Sequence, residues 1–187
     1  MKLFASLMAA MMVASSLMAY ERPKKPAYDG AKSWTINIGV GVPQGDHKDA
    51  GVDTMFMVGA DYMLGPMGEG TEGSTYVGVL GFFGSGDAGL KSRSYGIHYG
   101  ATLNLGQPGS SSPIMFKLQG GYYNTDLSDG IDDNNWGFGG LVGVVWRPTS
   151  GGGQSFTVEG GYYFLPSVSG VDNNGWYVAV GIPFGGK

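Results

Sequence analysis

The feature that most constrains this chain is a series of segments, each about ten residues long, in which apolar residues alternate with polar residues or glycine. Side chains along a β-strand point alternately to its two faces, so each segment predicts a strand with one apolar face. In the segment at 135–147, that face begins at Trp136 and ends at Trp146. At roughly 3.3 Å per residue and a tilt of about 40°, this span covers about 25 Å, the height of an outer-membrane apolar band. The pattern therefore predicts membrane-spanning strands.

Eight segments of this kind follow one another along the chain. We predict strands at 33–42, 54–64, 74–83, 93–105, 113–123, 135–147, 154–165 and 175–184. The predicted fold class is all-β, an eight-stranded antiparallel up-and-down transmembrane β-barrel.

Aromatic residues near the strand ends are expected to form outward-facing girdles at the two membrane interfaces. The third segment has two apolar faces, and we assign Tyr76, Leu80 and Phe82 outward by analogy with its neighbours. A possible internal repeat of 40 residues, in which Phe116–Trp136 lies over Phe156–Trp176, supports that analogy. The expected interface aromatics are Trp34, Phe56, Tyr62, Tyr76, Tyr95, Phe116, Trp136, Trp146, Phe156, Trp176 and Phe184.

The opposite face of the strands carries a small set of polar and charged side chains that would point into the barrel. Charges in a narrow interior must be paired or hydrated, because an unpaired charge in a low dielectric is costly. We expect a structural lumen network and keep open a narrow ion-conducting path. The network residues are Asp61, His98, Lys117, Gln119, Arg147 and Glu159.

The N-terminal residues predict export. Lys2, an apolar run from Leu3 to Val13 and the small residues that follow it are typical of a secretory signal peptide. We divide the chain into a signal peptide at 1–19, a proline- and lysine-containing periplasmic lead-in at 20–32 and an outer-membrane β-barrel at 33–187.

Composition excludes several other classes. Removal of Lys2 leaves 10 Lys+Arg against 15 Asp+Glu, a mature net charge of −5, which argues against nucleic acid as a partner. No run of 18 apolar residues follows the signal, which argues against a helical membrane protein. The chain has no cysteine, so neither disulfides nor thiolate metal sites are available. We expect no cofactor, no metal and no catalytic residues.

With an even strand number, both termini lie on one side of the membrane, which export places in the periplasm. The connections at 43–53, 84–92, 124–134 and 166–174 then face the outside of the cell. We expect an acidic rim there. Its aspartates are Asp46, Asp49, Asp53, Asp87, Asp126, Asp129, Asp132, Asp133 and Asp172. Their spacing does not match a known calcium loop, which favours solvated turns.

On these strand patterns, the chain from Ser33 to Phe184 resembles the small eight-stranded outer-membrane β-barrels of the OmpA-type and OmpW-like families. The resemblance implies an outer-membrane location in a diderm bacterium, contact with outer-membrane lipid and recognition of the C-terminal strand, ending at Phe184, by the barrel assembly machinery. A monomer is expected. The favoured function is a non-enzymatic structural component of the envelope. A narrow channel or carrier for small solutes is the first alternative, and a soluble periplasmic lipid-binding barrel is the second.

Overall fold

The residues that the structure describes form eight strands and one helical turn. The computed structural model describes residues 34–67, 73–86, 90–105, 114–128, 132–147 and 156–184. The predicted signal peptide and lead-in lie outside these residues. The elements are β1 (Trp34–Gln44), α1 (Asp46–Asp49), β2 (Val52–Pro66), β3 (Gly73–Gly86), β4 (Lys91–Asn104), β5 (Ile114–Ser128), β6 (Asp132–Trp146), β7 (Thr157–Val168) and β8 (Val171–Phe184).

The strands form a closed barrel in chain order. Each strand pairs antiparallel with the next, and β1 closes the barrel by pairing with β8, with Trp34 opposite Phe184. Closure removes the unpaired edges that an open sheet would present. The predicted all-β, eight-stranded up-and-down barrel is confirmed. We call the end where β1 begins and β8 finishes the terminal end, and the opposite end, which carries α1, the distal end.

The wall of the barrel is apolar on the outside. Along β1 the side chains from Trp34 to Val42 are exposed at every second position, and the corresponding positions of β8, from Trp176 to Phe184, are exposed as well. Polar neighbours such as Asn37 point inward and are buried. This is the reverse of a water-soluble domain, in which large apolar side chains are buried.

Ten of the eleven predicted interface aromatics lie on the outer face, eight of them exposed and Tyr62 and Phe116 partly covered. Those at the terminal end include Trp34, whose ring contacts Tyr62 at 4.9 Å between centroids. At the distal end, Trp136 stacks on Tyr122 at 5.6 Å. Two aromatic groups therefore mark the two ends of the apolar wall.

The third strand faces the other way from our prediction. Tyr76, Leu80 and Phe82 are 2%, 4% and 1% exposed and point inward, whereas Val79 is 53% exposed on the outer face. Pairing decides this, because Gly78 lies opposite Asp61 and both must share the inner face. Gly100 provides the space, since a side chain there would collide with the Tyr76 ring. The assignment of Tyr76 as an interface aromatic was wrong.

The distal connections are shorter than predicted. The segment at 124–134 was expected to be a loop, but β5 continues to Ser128 and β6 already begins at Asp132. The β7–β8 connection is a tight turn at Ser169 and Gly170, both with positive φ. Beyond the apolar band, apolar and polar residues no longer alternate along the strand, but backbone hydrogen bonds between neighbouring strands can continue. The strands are therefore longer than their alternating segments. In the described ranges no helix is long and apolar enough to cross a membrane.

Candidate functional site: the barrel interior

Inward-facing side chains from β1, β2, β4, β5 and β7 form one charged cluster in the terminal half of the barrel. The cluster comprises Asn37, Asp61, His98, Lys117 and Glu159, none of them more than 8% exposed. Each lies on the face opposite to the apolar wall, as strand alternation requires. Five strands therefore contribute to a single polar site.

Asp61 is the centre of this charged cluster. Its carboxylate accepts a hydrogen bond from Asn37 Nδ2 at 2.7 Å and contacts His98 Nε2 at 2.7 Å. Lys117 Nζ lies 3.5 Å from the same carboxylate. Gly78 lies on β3, between β2 and β4, and allows this packing because it has no side chain. A Cβ at this position would lie 2.5 Å from Asp61 Oδ1 and 2.7 Å from His98 Nε2. The same Cβ would also overlap the backbone oxygen of Ala60, so both the cluster and the neighbouring strand require glycine at 78.

A buried ion pair spans the lumen. Lys117 Nζ donates to Glu159 Oε2 at 2.7 Å, and the two residues lie on β5 and β7, which are not neighbours in the sheet. Lys117 also lies 5.3 Å from the centre of the Tyr76 ring, within the range of a cation–π contact. Two acids and one aromatic face therefore compensate one buried ammonium.

Beside this pair is a small polar cavity of about 50 Å³, lined by Thr35, Asp61, Thr157, Glu159 and Arg147, among others. Arg147 lies immediately after β6 and is partly exposed. Glu159 Oε1 is buried without a hydrogen-bond partner. A cavity of this size suits one or two water molecules, which would satisfy that oxygen.

Gln119 joins the charged cluster to the next layer. Tyr76 donates its hydroxyl to Gln119 Oε1 at 3.2 Å, and Gln119 Nε2 donates to the Tyr123 hydroxyl at 3.3 Å. The predicted network residues Asp61, His98, Lys117, Gln119 and Glu159 thus lie together in the interior.

The distal half of the interior is packed with apolar and aromatic side chains. Phe82 lies against Tyr163 at 4.7 Å between ring centres. An eight-stranded barrel has an interior only wide enough for its own side chains, and these residues fill it. The packed set is Val52, Met55, Met57, Leu80, Phe82, Tyr123, Leu141, Tyr163, Leu165, Tyr177 and Ala179, none more than 7% exposed.

A second polar cluster, the distal cluster, closes the interior at the distal end; it comprises His47, Ser92, Ser94, Thr125 and Asn173. His47 projects from α1 into the barrel and is 1% exposed. Its Nδ1 lies 2.8 Å from Asn173 Oδ1 and its Nε2 lies 2.8 Å from Ser92 Oγ. Asn173 Nδ2 donates to Ser94 Oγ at 2.8 Å, and Ser94 lies 3.1 Å from Thr125 Oγ1. The sequence analysis missed this cluster, because His47 falls in the predicted outer connection at 43–53, outside the predicted strands.

The hydrogen bonds define the His47 tautomer. Since Asn173 Nδ2 donates to Ser94, Asn173 Oδ1 is the acceptor for a proton on His47 Nδ1. In this neutral tautomer His47 Nε2 accepts from the Ser92 hydroxyl, whose proton is then directed to the ring at 2.8 Å instead of to Met55 Sδ at 3.6 Å. Serine, histidine and an orienting amide in this order resemble the groups of a hydrolase. Ser92 is 0% exposed, however, and its Oγ contacts Met55 Sδ at 3.6 Å, so no space for an ester carbonyl lies beside it in the described structure.

No group of three or more metal-ligating side chains is placed to hold an ion among the residues that the structure describes. Of the predicted rim aspartates, Asp46, Asp49, Asp53 and Asp172 are exposed at the distal end. Asp126 is half-buried on β5, while Asp87 and Asp129 lie outside the described residues.

Comparison with solved structures identifies similar barrels. No family model matches the sequence, and neither does any curated protein. The crystal structure of neisserial surface protein A superposes with a TM-score of 0.60 at 10% identity, covering 83% of this chain and 98% of that one. The N-terminal β-barrel domain of Pseudomonas aeruginosa OprF gives a TM-score of 0.53 at 9% identity, covering 83% of this chain and 100% of that domain. What is shared is the fold.

The expected resemblance to small eight-stranded outer-membrane barrels is thereby confirmed at the level of architecture. At these identities the likeness carries no residue roles across, so the two polar clusters must be interpreted from their own geometry.

Proposed function

We propose that this chain is a non-enzymatic β-barrel protein of the outer membrane of a diderm bacterium, where it acts as a structural component of the envelope. The observation that carries the proposal is the combination of an apolar wall and a filled interior. The wall requires an apolar solvent, and side chains fill the interior over the residues that the structure describes, apart from a cavity of about 50 Å³.

The wall supports the membrane location. Large apolar side chains halfway along the strands, such as Ile97 at 65% and Val178 at 57%, are exposed all around the barrel. An apolar surface of this extent, bounded at both ends by aromatic rings, matches the lipid-facing belt of outer-membrane barrels. The likeness of fold to a neisserial surface protein supports the same location.

The orientation follows from the even strand number. Both ends of the barrel sequence lie at the terminal end, and export by the predicted signal peptide would put that end in the periplasm. The distal end then faces the outside and presents the exposed carboxylates of Asp46, Asp49, Asp53 and Asp172. We propose that this acidic rim contributes charge at the cell surface.

The partners follow from the same placement. Outer-membrane lipid would cover the wall, and the barrel assembly machinery would recognise β8, whose outward face runs from Trp176 to Phe184. The exposed side chains of the described wall are apolar on β1, β4 and β8 alike, so lipid can cover this wall without a second subunit. We therefore propose a monomer.

Planar-bilayer recording distinguishes a structural barrel from a channel. With the distal half packed and the Lys117–Glu159 pair crossing the lumen, we expect no discrete conductance steps from the purified protein. Reproducible steps would contradict the structural role and favour the narrow channel. If the Glu159→Gln variant shows conductance steps that the wild-type protein lacks, the Lys117–Glu159 ion pair is the barrier to ion flow.

A soluble lipid-binding barrel needs the opposite distribution of polar and apolar side chains between its outer and inner faces. It requires a polar outer face and an apolar cavity. Here the outer face is apolar, and the interior contains the charged cluster and closely packed rings. We therefore do not favour this alternative.

A further inference from the structure

We propose that α1 is a latch that closes the distal mouth of the barrel through His47, and that protonation of His47 releases it. This inference concerns the distal end only and goes beyond a structural role in the envelope. The latch is held closed by the His47 side chain and its two hydrogen-bond partners, Ser92 and Asn173.

The first argument is the way in which α1 is attached. Of the four residues in α1, only His47 is buried, while Asp46, Lys48 and Asp49 are exposed. The backbone of this turn forms hydrogen bonds within the turn itself, from Asp49 N to Gly45 O and from Ala50 N to Asp46 O, both at 2.9 Å. The His47 side chain is therefore the main polar link between the turn and the barrel.

The second argument is the pair of glycines at the ends of the turn. Gly45 has φ 54° and Gly51 has φ 91°, and a Cβ built at Gly45 meets nothing within 4 Å. Glycine adopts these left-handed conformations without the penalty of other residues, so the backbone at both links can change its angles at a lower cost than other residues would allow. The turn can therefore swing away while β1 and β2 stay paired.

The third argument is the charge around His47. Both of its hydrogen-bond partners are neutral, an amide oxygen and a hydroxyl. The charged groups on the elements packed against it, Asp53 on β2 and Asp172 on β8, are exposed, as are Lys91 and Arg93 on β4, and Asp172 accepts a hydrogen bond from Ser167. On β5, Asp126 is half-buried, but it lies next to Thr125 in the strand and so faces outward, opposite Arg93. The described part of β1 contributes no charge. An imidazolium ion would therefore be buried without a paired anion, which is costly.

Burial is the largest influence on this ring and lowers the pKa of His47, while the hydrogen bond to Asn173 opposes it. The closed latch therefore favours the neutral ring. In an open turn the ring returns to water and to an ordinary pKa of about 6.5. Acidification below that value favours the open state, since only there can the ring take up a proton at little cost.

The chain has no cysteine, so a single introduced thiol can report opening without background. Val52→Cys places a thiol at the first residue of β2, three residues after the end of α1, at a position that is 0% exposed and with a side chain of similar size. Ser85→Cys, on the exposed distal part of β3, serves as a reference that reacts at every pH. The full-length protein, refolded in detergent micelles, is treated with a positively charged methanethiosulfonate.

The measured quantity is the ratio of the two labelling rates, which cancels the pH dependence of the thiol chemistry itself. We expect the ratio for Val52→Cys over Ser85→Cys to rise about tenfold between pH 7.5 and pH 5, because proton uptake by the open state increases its population in proportion. The same ratio in a His47→Gln background should not change with pH, since glutamine retains hydrogen-bonding groups but does not titrate.

Two results would overturn the proposal. One is equal protection of the Val52→Cys thiol at both pH values. The other is an unchanged pH response in the His47→Gln background, which would assign the response to a different group. Heat-modifiable gel migration at each pH checks that the barrel itself stays folded, so latch opening and global unfolding remain distinct. Neither result bears on the envelope role, which the bilayer recording tests.

Discussion

Lys117 and Glu159 meet across the barrel from β5 and β7, and both side chains are almost wholly removed from water. A buried ion pair contributes little net stability compared with an apolar pair, but loss of one partner leaves an unpaired charge. At the residue scale, this asymmetry makes the pair the most sensitive point of the interior.

Glu159→Gln should therefore lower the free energy of unfolding by about 3 kcal/mol without preventing barrel formation, because Asp61 remains 3.5 Å from the ammonium. Urea unfolding in micelles, followed by tryptophan fluorescence, measures the change. Asp53→Asn, which removes an exposed carboxylate, is the control and should shift the midpoint very little. An unchanged midpoint in Glu159→Gln would contradict a structural role for the charged cluster.

A second residue-scale prediction concerns glycine. Gly78→Ala should destabilise the barrel by about 1–3 kcal/mol, because the new methyl group overlaps Asp61 and His98. Gly160→Ala is the matched control, since the nearest atom to its Cβ is Tyr177 O at 3.4 Å, an ordinary contact. Equal unfolding midpoints for the two variants would show that the cluster tolerates displacement.

Strand parity places Asp61, His98, Lys117 and Glu159 on the inner face, so these residues could be predicted from the sequence. Their partners could not, because a contact between β5 and β7 depends on barrel closure. His47, Ser92 and Asn173 had no signal of their own. They lie where alternation ends, and only the folded turn brings them together.

At the scale of elements, α1 and the strands beneath it are expected to respond to pH. The pKa of His47 is lowered in the folded state, so this group contributes full stability above the unfolded pKa of about 6.5. As the pH falls below that value, the unfolded chain takes up a proton before the folded one does, and this contribution is lost.

The free energy of unfolding of the wild-type protein should therefore fall more between pH 7.5 and pH 5 than that of His47→Gln. Urea titrations at the two pH values measure both differences, and the other titrating groups are common to the two proteins. Identical falls in the two proteins would mean that His47 carries no proton-linked stability.

The strand count and order were predictable, since seven of the eight segments have one clearly apolar face. The remaining segment, β3, has two apolar faces, and analogy with its neighbours in the sequence selected the wrong one. The pairing of Gly78 with Asp61 decides the face, and that pairing depends on the β2–β3 register, which includes irregularities near Val52 and Met63. The distal strand ends extend past the prediction for a different reason, because backbone pairing needs no apolar side chains.

At the scale of the whole molecule, the barrel has its apolar surface outside and its charged groups inside. Ile97, near the middle of β4, is the test position. Its apolar side chain is 65% exposed, and contact with lipid would explain that exposure. Ile97→Lys should cost about 2–4 kcal/mol in a bilayer, as for a lysine at the membrane midplane. In a water-soluble barrel the same change would be harmless.

Ser85→Lys, at an exposed distal position, is the control for Ile97→Lys and should leave stability almost unchanged. The measurement is urea unfolding in lipid vesicles. If Ile97→Lys unfolds at the same urea concentration as Ser85→Lys, the outer wall does not face lipid.

The most direct test of the membrane barrel is fractionation of cells that express the full chain, followed by gel migration of the protein with and without boiling. The account predicts recovery in the outer-membrane fraction and a band whose mobility changes on heating, since a closed eight-stranded barrel resists detergent until it is heated. Recovery in the soluble periplasm, with the same mobility before and after boiling, would contradict it.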